Sequence, residues 1–587
     1  MSKPFPVVII GGGPAGLTAA YELVKQGVRP LVLEKSDKVG GLARTENYKG
    51  FRFDMGGHRF FTKSQEVQRF WLDVLANDFL RRPRLSRIYY KKKFFFYPLK
   101  PVNALLGLGV VESVQILLSY LRWQLSPYPQ EDTFEQWVTN RFGQKLYQTF
   151  FKTYTEKVWG IPCSELKAEW AAQRIKDLSL RTALVSMFMK PKNTIKTLIE
   201  EFDYPRLGPG MMWHTVQSLV EQGGGEVWLK SEVVSFRREG DRLTSLRLSQ
   251  GGEERTVVGE SFISSMSIAE FIQKLDPAPS SPVLQSAAKL SYRDFLTVCL
   301  IINQPDLFPD NWVYVHDPDV RVGRIQNFKN WSPEMVPDPT KTSLGLEYFC
   351  TEGDDLWMMP DRDLVELGKR EVERIGLARS QDVEDGCVFR VSKSYPIYDS
   401  DYMDHLAVVR RFVEGLENFQ TIGRNGLHRY NNQDHAMLTG MLAVRNLLNG
   451  ERNDLWSVNA DQEYLEEIRD ETVVEQVLSE AFPKLDRVAL GLAVGIVGGL
   501  LLSVATLWLF ARSIGNIGQT LGLLRQFFPG YWVSPRGIML GIVYGFISGF
   551  IIGWLYAFLR NAAVFFYMAT IHHRAERYHL RRFLEYL

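Results

Sequence analysis

Val7-Val-Ile-Ile-Gly11-Gly-Gly13-Pro-Ala-Gly16-Leu, followed by an amphipathic run and then Leu31-Val-Leu-Glu34, decides the fold. The β-branched run reads as a buried strand and the glycines as a turn. Pro14 to Gln26 reads as a helix, and the stretch up to Glu34 as a second strand ending in an acid. In this G-x-G-x-x-G arrangement Gly11 permits the tight turn, Gly13 lets the backbone approach a pyrophosphate, and Gly16 lets the helix pack close on the sheet. Glu34 stands where an acid accepts hydrogen bonds from ribose hydroxyls. Phosphate charge would sit on the helix N-terminus, where free N–H groups and the macrodipole favour an anion. Strand, helix and terminal acid in this order predict a dinucleotide-binding α/β fold rather than a glycine-rich loop without a ligand.

Outward from this core come Lys38-Val-Gly40-Gly41-Leu-Ala-Arg44-Thr45 and then Gly50-Phe-Arg-Phe-Asp54-Met-Gly56-Gly57-His58. A second Gly-Gly turn admits a ligand backbone, and an arginine just beyond it supplies donors to a diphosphate. The pattern resembles the amine-oxidase-like flavoproteins. That resemblance implies FAD in place of NAD, with Gly41, Arg44 and Gly57 beside it.

The 587 residues leave room for two or three domains. A chain 45% hydrophobic and 23% charged has an ordinary globular core, and a net charge of +2 with no basic, aromatic-interleaved stripe gives no reason to expect nucleic acid. Cys163, Cys299, Cys350 and Cys387 are widely spaced without a C-x-x-C, which argues against a metal site and against a disulfide framework. Met1-Ser-Lys-Pro leads almost directly into the first strand, with no signal peptide pattern, so the flavin unit is expected on the cytoplasmic side.

The C-terminal part differs. Val488–Phe510 and Gly537–Leu559 are each 23 residues without a charge, long enough to cross a hydrocarbon core of about 30 Å. Gly491, Gly495 and Gly499 recur every fourth residue in the first, and Gly537, Gly541, Gly545, Gly549 and Gly553 in the second. Such ridges let backbones approach, so a packed transmembrane hairpin is expected. Arg560, Arg574, Arg577, Arg581 and Arg582 follow the second span, against Arg512, Arg525 and Arg536 between the spans, a bias that keeps both ends cytosolic. Neither span holds an internal acid or base, which argues against an ion pathway.

Residues 104–200 show helical spacing, whereas 226–265 and 290–350 show short β-branched and aromatic runs broken by turn residues. The expected architecture is a Rossmann-type FAD-binding domain from segments 1–90, 205–290 and 390–450, with a helical substrate domain at 91–204 and an antiparallel sheet domain at 291–389. An acidic helical linker at 451–483 then leads to the hairpin and basic tail at 484–587.

Four segments are similar to those of UDP-galactopyranose mutases, flavoenzymes that interconvert the ring forms of UDP-galactose. They are Gly56-Gly57-His58-Arg-Phe60-Phe61-Thr62, Tyr97-Pro-Leu-Lys-Pro-Val-Asn103, Tyr154-Thr-Glu-Lys157-Val-Trp159-Gly160, and Gly423-Arg424-Asn-Gly426-Leu-His-Arg-Tyr430-Asn-Asn432-Gln-Asp434. Phe61 and Val158 depart from the family's histidine and glutamine. The likeness spans residues 1 to 450 and excludes the hairpin. It implies reduced FAD as the nucleophile on a UDP-sugar, with Arg324, Tyr395 and Tyr430 at the diphosphate and Gly423, Arg424 and Asn432 at the flavin. A second arginine would be either Arg174 or Arg181. Trp159 is either a wall for sugar or uracil or core packing. His58 is either a ring that responds to the flavin's redox state or a structural turn histidine. The segment from Asn432 to Leu448 reads as a helix whose N-terminal dipole would favour an anionic reduced cofactor.

In the isomerase reading the product serves cell-surface glycan synthesis and could pass to a membrane glycosyltransferase. The alternative is a membrane-anchored FAD-dependent oxidoreductase, of desaturase, amine oxidase or porphyrinogen oxidase type, acting on a lipophilic substrate. A flavin domain displayed on a membrane as a non-catalytic scaffold is a third reading, opposed by the intact cofactor motifs.

Overall fold

Strand β1 (Phe5–Ile10) buries its last four residues, as an apolar run in a parallel sheet covered on both faces must. It pairs in parallel with β2 (Pro30–Leu33) on one side and with Glu253–Ser264 on the other. Between β1 and β2 runs α1 (Pro14–Lys25), with proline in its first turn, where its missing N–H costs no helical hydrogen bond. These features come from a computed structural model that describes residues 4–76, 78–97, 99, 101–168, 201–459, 485–511 and 519–584. The chain divides into two units, residues 1–468 and 469–587.

In the first unit the parallel strands belong to an eight-stranded sheet completed by Glu226–Trp228, the antiparallel run Ser231–Ser264, Leu275–Asp276 and Phe419–Thr421. The helix Gln433–Asn449 packs on α1 so closely that a Cβ on Gly440 would come 2.5 Å from the Ala15 carbonyl. A second, seven-stranded sheet runs in the order Val383–Pro396, Tyr292–Ile302, Thr342–Cys350, Arg324–Asn327, Trp312–Val315, Ser86–Tyr90, Lys93–Phe96. The helices of 101–168 pack over it, burying Phe134, Trp137, Phe150 and Trp159 with the aromatic rings of that sheet. The expected fold class, a Rossmann-type FAD-binding domain with helical and antiparallel-sheet parts plus two apolar C-terminal helices, is the one observed.

Strands 86–90 and 93–96 join the second sheet through parallel pairing of Trp312–Val315 with Ser86–Tyr89, a non-local contact invisible to local periodicity. Leu455 and Trp456, in the segment read as linker, pack into the core of the first unit; the rest of that segment, from residue 460, lies outside the described residues.

In the second unit Arg487–Ala511 and Pro535–Ala563 are long and apolar enough to cross a membrane. The second helix runs on to Leu584, because Arg560–Leu584 contains neither glycine nor proline to end it. The two glycine ridges face each other. A Cβ on Gly545 would meet the Gly498 carbonyl at 2.5 Å, and one on Gly549 the Val494 carbonyl at 2.5 Å. Ser503 and Thr506 are buried in the same seam, where the Ser503 hydroxyl bonds the Gly499 carbonyl and Thr506 pairs with Tyr531.

Candidate active site

The β1–α1 turn is built for close approach. Gly11 adopts φ +100°, and a Cβ on Gly16 would lie 2.0 Å from the Gly11 carbonyl. Gly13 precedes α1 without a side-chain cap, leaving the first N–H groups of the helix for a ligand. Glu34, at the end of β2, accepts from the Gly12 N–H at 2.7 Å and the Ser36 N–H at 2.9 Å. Those two bonds fix the carboxylate and leave lone pairs for ribose hydroxyls. The second glycine turn, with Gly40 at φ +107° and Gly41 at φ +53°, brings Gly41 against Gly13. Arg44 is held by Glu46 at 2.7 Å and by the Gly41 carbonyl at 3.2 Å. Gly11, Gly13, Glu34, Gly41, Arg44, Gly423, Arg424 and Asn432 line one cleft of about 380 Å³. Gly16 lies just beneath it. Backbone amides at a helix N-terminus, a fixed ribose-binding acid and glycines where Cβ atoms would intrude make a donor set that fits FAD.

His58, Arg424, Asn432 and Gln433 also line a second cavity, of about 140 Å³, so the two spaces adjoin. Gly57, Arg59, Trp312, Tyr314, Arg324, Gln326, Tyr395 and Tyr430 are among its other lining residues. Asn432 caps the helix Gln433–Asn449, whose N-terminus therefore opens on both spaces. Arg424 donates to the carbonyls of Asn431 at 2.8 Å and Ser394 at 2.9 Å, and lies 4.7 Å from the Tyr430 ring centre. No carboxylate among the described residues forms an ion pair with it, so its charge is available to a ligand. His58 bonds the Met55 carbonyl at 2.9 Å, and burial, with Arg424 second, pushes its pKa down to about 4. It is a neutral ring at physiological pH.

Arg324 and Glu347 sit directly opposite on paired strands, 3.0 Å apart, with the Glu347 side chain only 1% exposed. Burial works against the arginine's charge, and the carboxylate overrides it. Gln326 donates its amide nitrogen to Glu347 at 2.6 Å. A carboxylate only accepts, so the amide orientation is fixed and Oε1 faces away. Gln326 Oε1 and Arg324 Nε are both buried without a hydrogen-bond partner. Trp312 Nε1 is a further buried donor without a partner, so among the described residues the cavity wall carries one orphan acceptor and two orphan donors, groups that a bound polar molecule can satisfy.

Tyr395 and Tyr430 stack with ring centres 5.4 Å apart, and Tyr395 bonds Arg324 at 3.4 Å. Trp159, 1% exposed, stacks on Tyr398 at 5.9 Å and meets Tyr395 and Tyr430 edge-on, behind the cavity and not in its wall. Lys157 of the same segment is likewise a clamp, donating to the carbonyls of Val315, Asp317 and Val322. Arg174 and Arg181 lie outside the described residues. Gln326 and Glu347 were missed by sequence reasoning, though each left a signal. Glu347 is the lone acid in the wholly buried strand Thr342–Cys350, and Gln326 shares a strand face with Arg324 two residues away.

Fold and cleft together define an FAD-dependent enzyme. The profile described as "Flavin containing amine oxidoreductase" matches residues 14–448, and the chain belongs to that family. An L-amino-acid oxidase of Crotalus adamanteus is 34% identical over 114 residues, 17% of this chain and 22% of the oxidase, so the match spans about a fifth of that relative. Among solved structures, reduced UDP-galactopyranose mutase superposes with TM-score 0.67 at 20% identity, covering 79% of this chain and 100% of its own. A putrescine oxidase variant does so with TM-score 0.53 at 14% identity, covering 76% and 99%. At these identities the likeness is one of fold.

Proposed function

We propose that the chain is a membrane-anchored FAD-dependent oxidoreductase that withdraws two electrons from a substrate whose reacting end is small and polar. The observation that carries this reading is the cavity of about 140 Å³ in which Arg324 Nε and Gln326 Oε1 stand as an orphan donor and acceptor. Pockets that enclose a whole drug-sized ligand run roughly 300–1,000 Å³, so this space takes the end of a molecule. A hydroxyl or neutral amine can donate to Gln326 and accept from Arg324, an ammonium can donate to Gln326 and a carboxylate can accept from Arg324, and the tyrosine pair supplies a flat wall beside them. FAD, when bound, supplies the electron-accepting ring. The protein's part is to orient the substrate and, through Arg424 and the helix N-terminus at Asn432, to favour negative charge on a reduced cofactor. The oxidase names among relatives support a redox reaction. The two apolar helices would anchor the enzyme, and the arginine bias around them supports a hairpin with its flanks in the cytosol.

A UDP-galactopyranose-mutase-like isomerase is the second reading, favoured by the Tyr154–Gly160 segment and its Arg324, Tyr395 and Tyr430 partners. Two features weigh against it. Glu347 neutralises the arginine that a departing diphosphate would need, and the cavity is small for a nucleotide-sugar.

Anaerobic titration with amines, amino acids and porphyrinogens should bleach the flavin's visible absorbance, and turnover should consume an electron acceptor. Ring contraction of UDP-galactose by the reduced protein, with no acceptor consumed, would overturn the oxidoreductase reading in favour of the isomerase.

A further inference from the structure

Lys393, on the wall of the flavin cleft, adopts φ +53°, a left-handed conformation that a side chain disfavours. It sits in a bulge of the strand Val383–Pro396. Arg293 faces Tyr395 and Phe295 faces Val391, so Asp294 stands against Ser392, Lys393 and Ser394 together. The backbone is pinned on both sides of the bulge. The Lys393 N–H donates to the Asp294 carboxylate at 2.5 Å, and the Lys393 carbonyl accepts from the Asn425 side chain at 2.9 Å. A bulge re-aims a side chain out of the alternation of its strand, and backbone strain persists where the surroundings over-determine it.

The side chain so aimed forms an ion pair with Glu270, on the helix Ile268–Gln273 that follows the strand Glu253–Ser264. Lys393 belongs to the seven-stranded sheet, whereas Glu270 follows a strand of the eight-stranded one. Both residues line the cleft that holds Gly11, Gly13 and Glu34, so the pair joins two of its walls. Their side chains are 33% and 31% exposed, which places the contact at the opening and not in the depth. Burial works against the Glu270 charge, and Lys393, with lesser help from Lys35 and Lys274, overrides it. An ion pair this exposed adds little to the stability of a fold, so stability alone gives no reason for a strained lysine here.

We propose that Lys393 and Glu270 form a clasp across the mouth of the flavin cleft, which must open to admit or release FAD and so sets the rate of cofactor exchange. Opening precedes both entry and exit, so the clasp slows both by the same factor and cancels from the affinity. It rests on the cleft being the FAD site and not on which reaction the flavin performs.

The test uses the full chain in detergent. Radiolabelled FAD chased with excess unlabelled FAD gives the dissociation rate, and mixing the flavin-free protein with FAD gives the association rate. Lys393→Met and Glu270→Gln should each raise both rates about 2- to 5-fold and leave Kd within about 1.5-fold. The two substitutions change charge in opposite senses, so a direct electrostatic effect on the cofactor's phosphates would instead shift Kd in opposite directions, and that result would overturn the clasp. The double variant should exchange no faster than either single one, as members of one contact behave. Exchanging the residues, Lys393→Glu with Glu270→Lys, should restore slow exchange. Unchanged rates in the single variants, or accelerations that multiply in the double one, would also overturn the proposal. Melting temperature and flavin content at saturation report folding, and failure of the unaltered chain to bind FAD would overturn the assignment of the cleft itself.

Discussion

Gly16 has no slack. An alanine methyl there would sit 2.0 Å from the Gly11 carbonyl, so either α1 or the turn must move. Overpacking of this kind costs roughly 1–3 kcal/mol, and the displaced atoms are the proposed pyrophosphate donors. Gly16→Ala should therefore purify with little flavin and a lowered melting temperature, which absorbance and thermal unfolding would check. Gln326→Leu should act differently. It removes the orphan acceptor and one donor to Glu347 while leaving the flavin cleft intact, so flavin content should hold and kcat/KM fall roughly 10- to 100-fold. An unchanged kcat/KM would place the substrate elsewhere. His58, His316 and His428 have pKa values pushed down by burial to about 4, 3 and 4. The unfolded chain takes up these protons as pH falls through about 6.5 and the folded chain does not, so their stabilisation is full above that pH and is lost toward pH 4. Asp54, pushed up to about 7 by burial, acts in the opposite sense, favouring the fold at low pH and losing that contribution as pH rises through 7. Three groups outweigh one. The melting temperature should fall between pH 6.5 and 4.5, and His316→Gln should flatten the dependence by about one proton. Glu34, Arg44 and the glycines were legible because their roles are local to one βαβ turn. The partners of Arg324 were not, since Glu347 meets it only through strand pairing.

At the level of elements, the hairpin seam makes the strongest demand. Gly545 leaves 2.5 Å between a would-be Cβ and the Gly498 carbonyl. Gly545→Leu should force the helices apart, and spin labels at the exposed positions Leu501 and Met539 should report a longer, broader separation in lipid. An unchanged distance would mean that the ridges do not set the packing. The periodicity that predicted these helices, α1 and the helix from Gln433 is a one-dimensional property and reads directly from sequence. Strand order does not. Ser86–Tyr90 pairs with Trp312–Val315 across more than two hundred residues, and no local pattern announces that. Trp159 illustrates the same limit, since a motif tryptophan reads equally as wall or as core until Tyr395, Tyr398 and Tyr430 are seen around it.

For the whole molecule, all flavin-cleft residues fall within the unit that ends at residue 468, and the apolar hairpin falls in the other. A chain ended after residue 484 should keep its FAD and its turnover of a soluble substrate, as flavin content and acceptor consumption would show. Loss of flavin would mean that the second unit contributes to the fold of the first. The division into a flavin unit and an apolar pair was readable from composition alone, because charge-free runs of 23 residues have few other uses.

The cleft is closed by residues from distant parts of the chain, Gly11 to Arg44 at one end and Gly423 to Ala436 at the other. At roughly 5–20 residues per second, a ribosome that has finished the phosphate-binding turn still needs about 20 to 80 s to reach Gly423. The nascent β1–α1–β2 element must wait that long beside an unfilled edge, since its neighbour Glu253–Ser264 and its helical cover Gln433–Asn449 are not yet made. The complete cleft therefore exists only once the chain has been made to Ala436. The first apolar helix follows soon after, at Arg487, so the last elements of the cleft and the start of the apolar pair are made within one short stretch of synthesis.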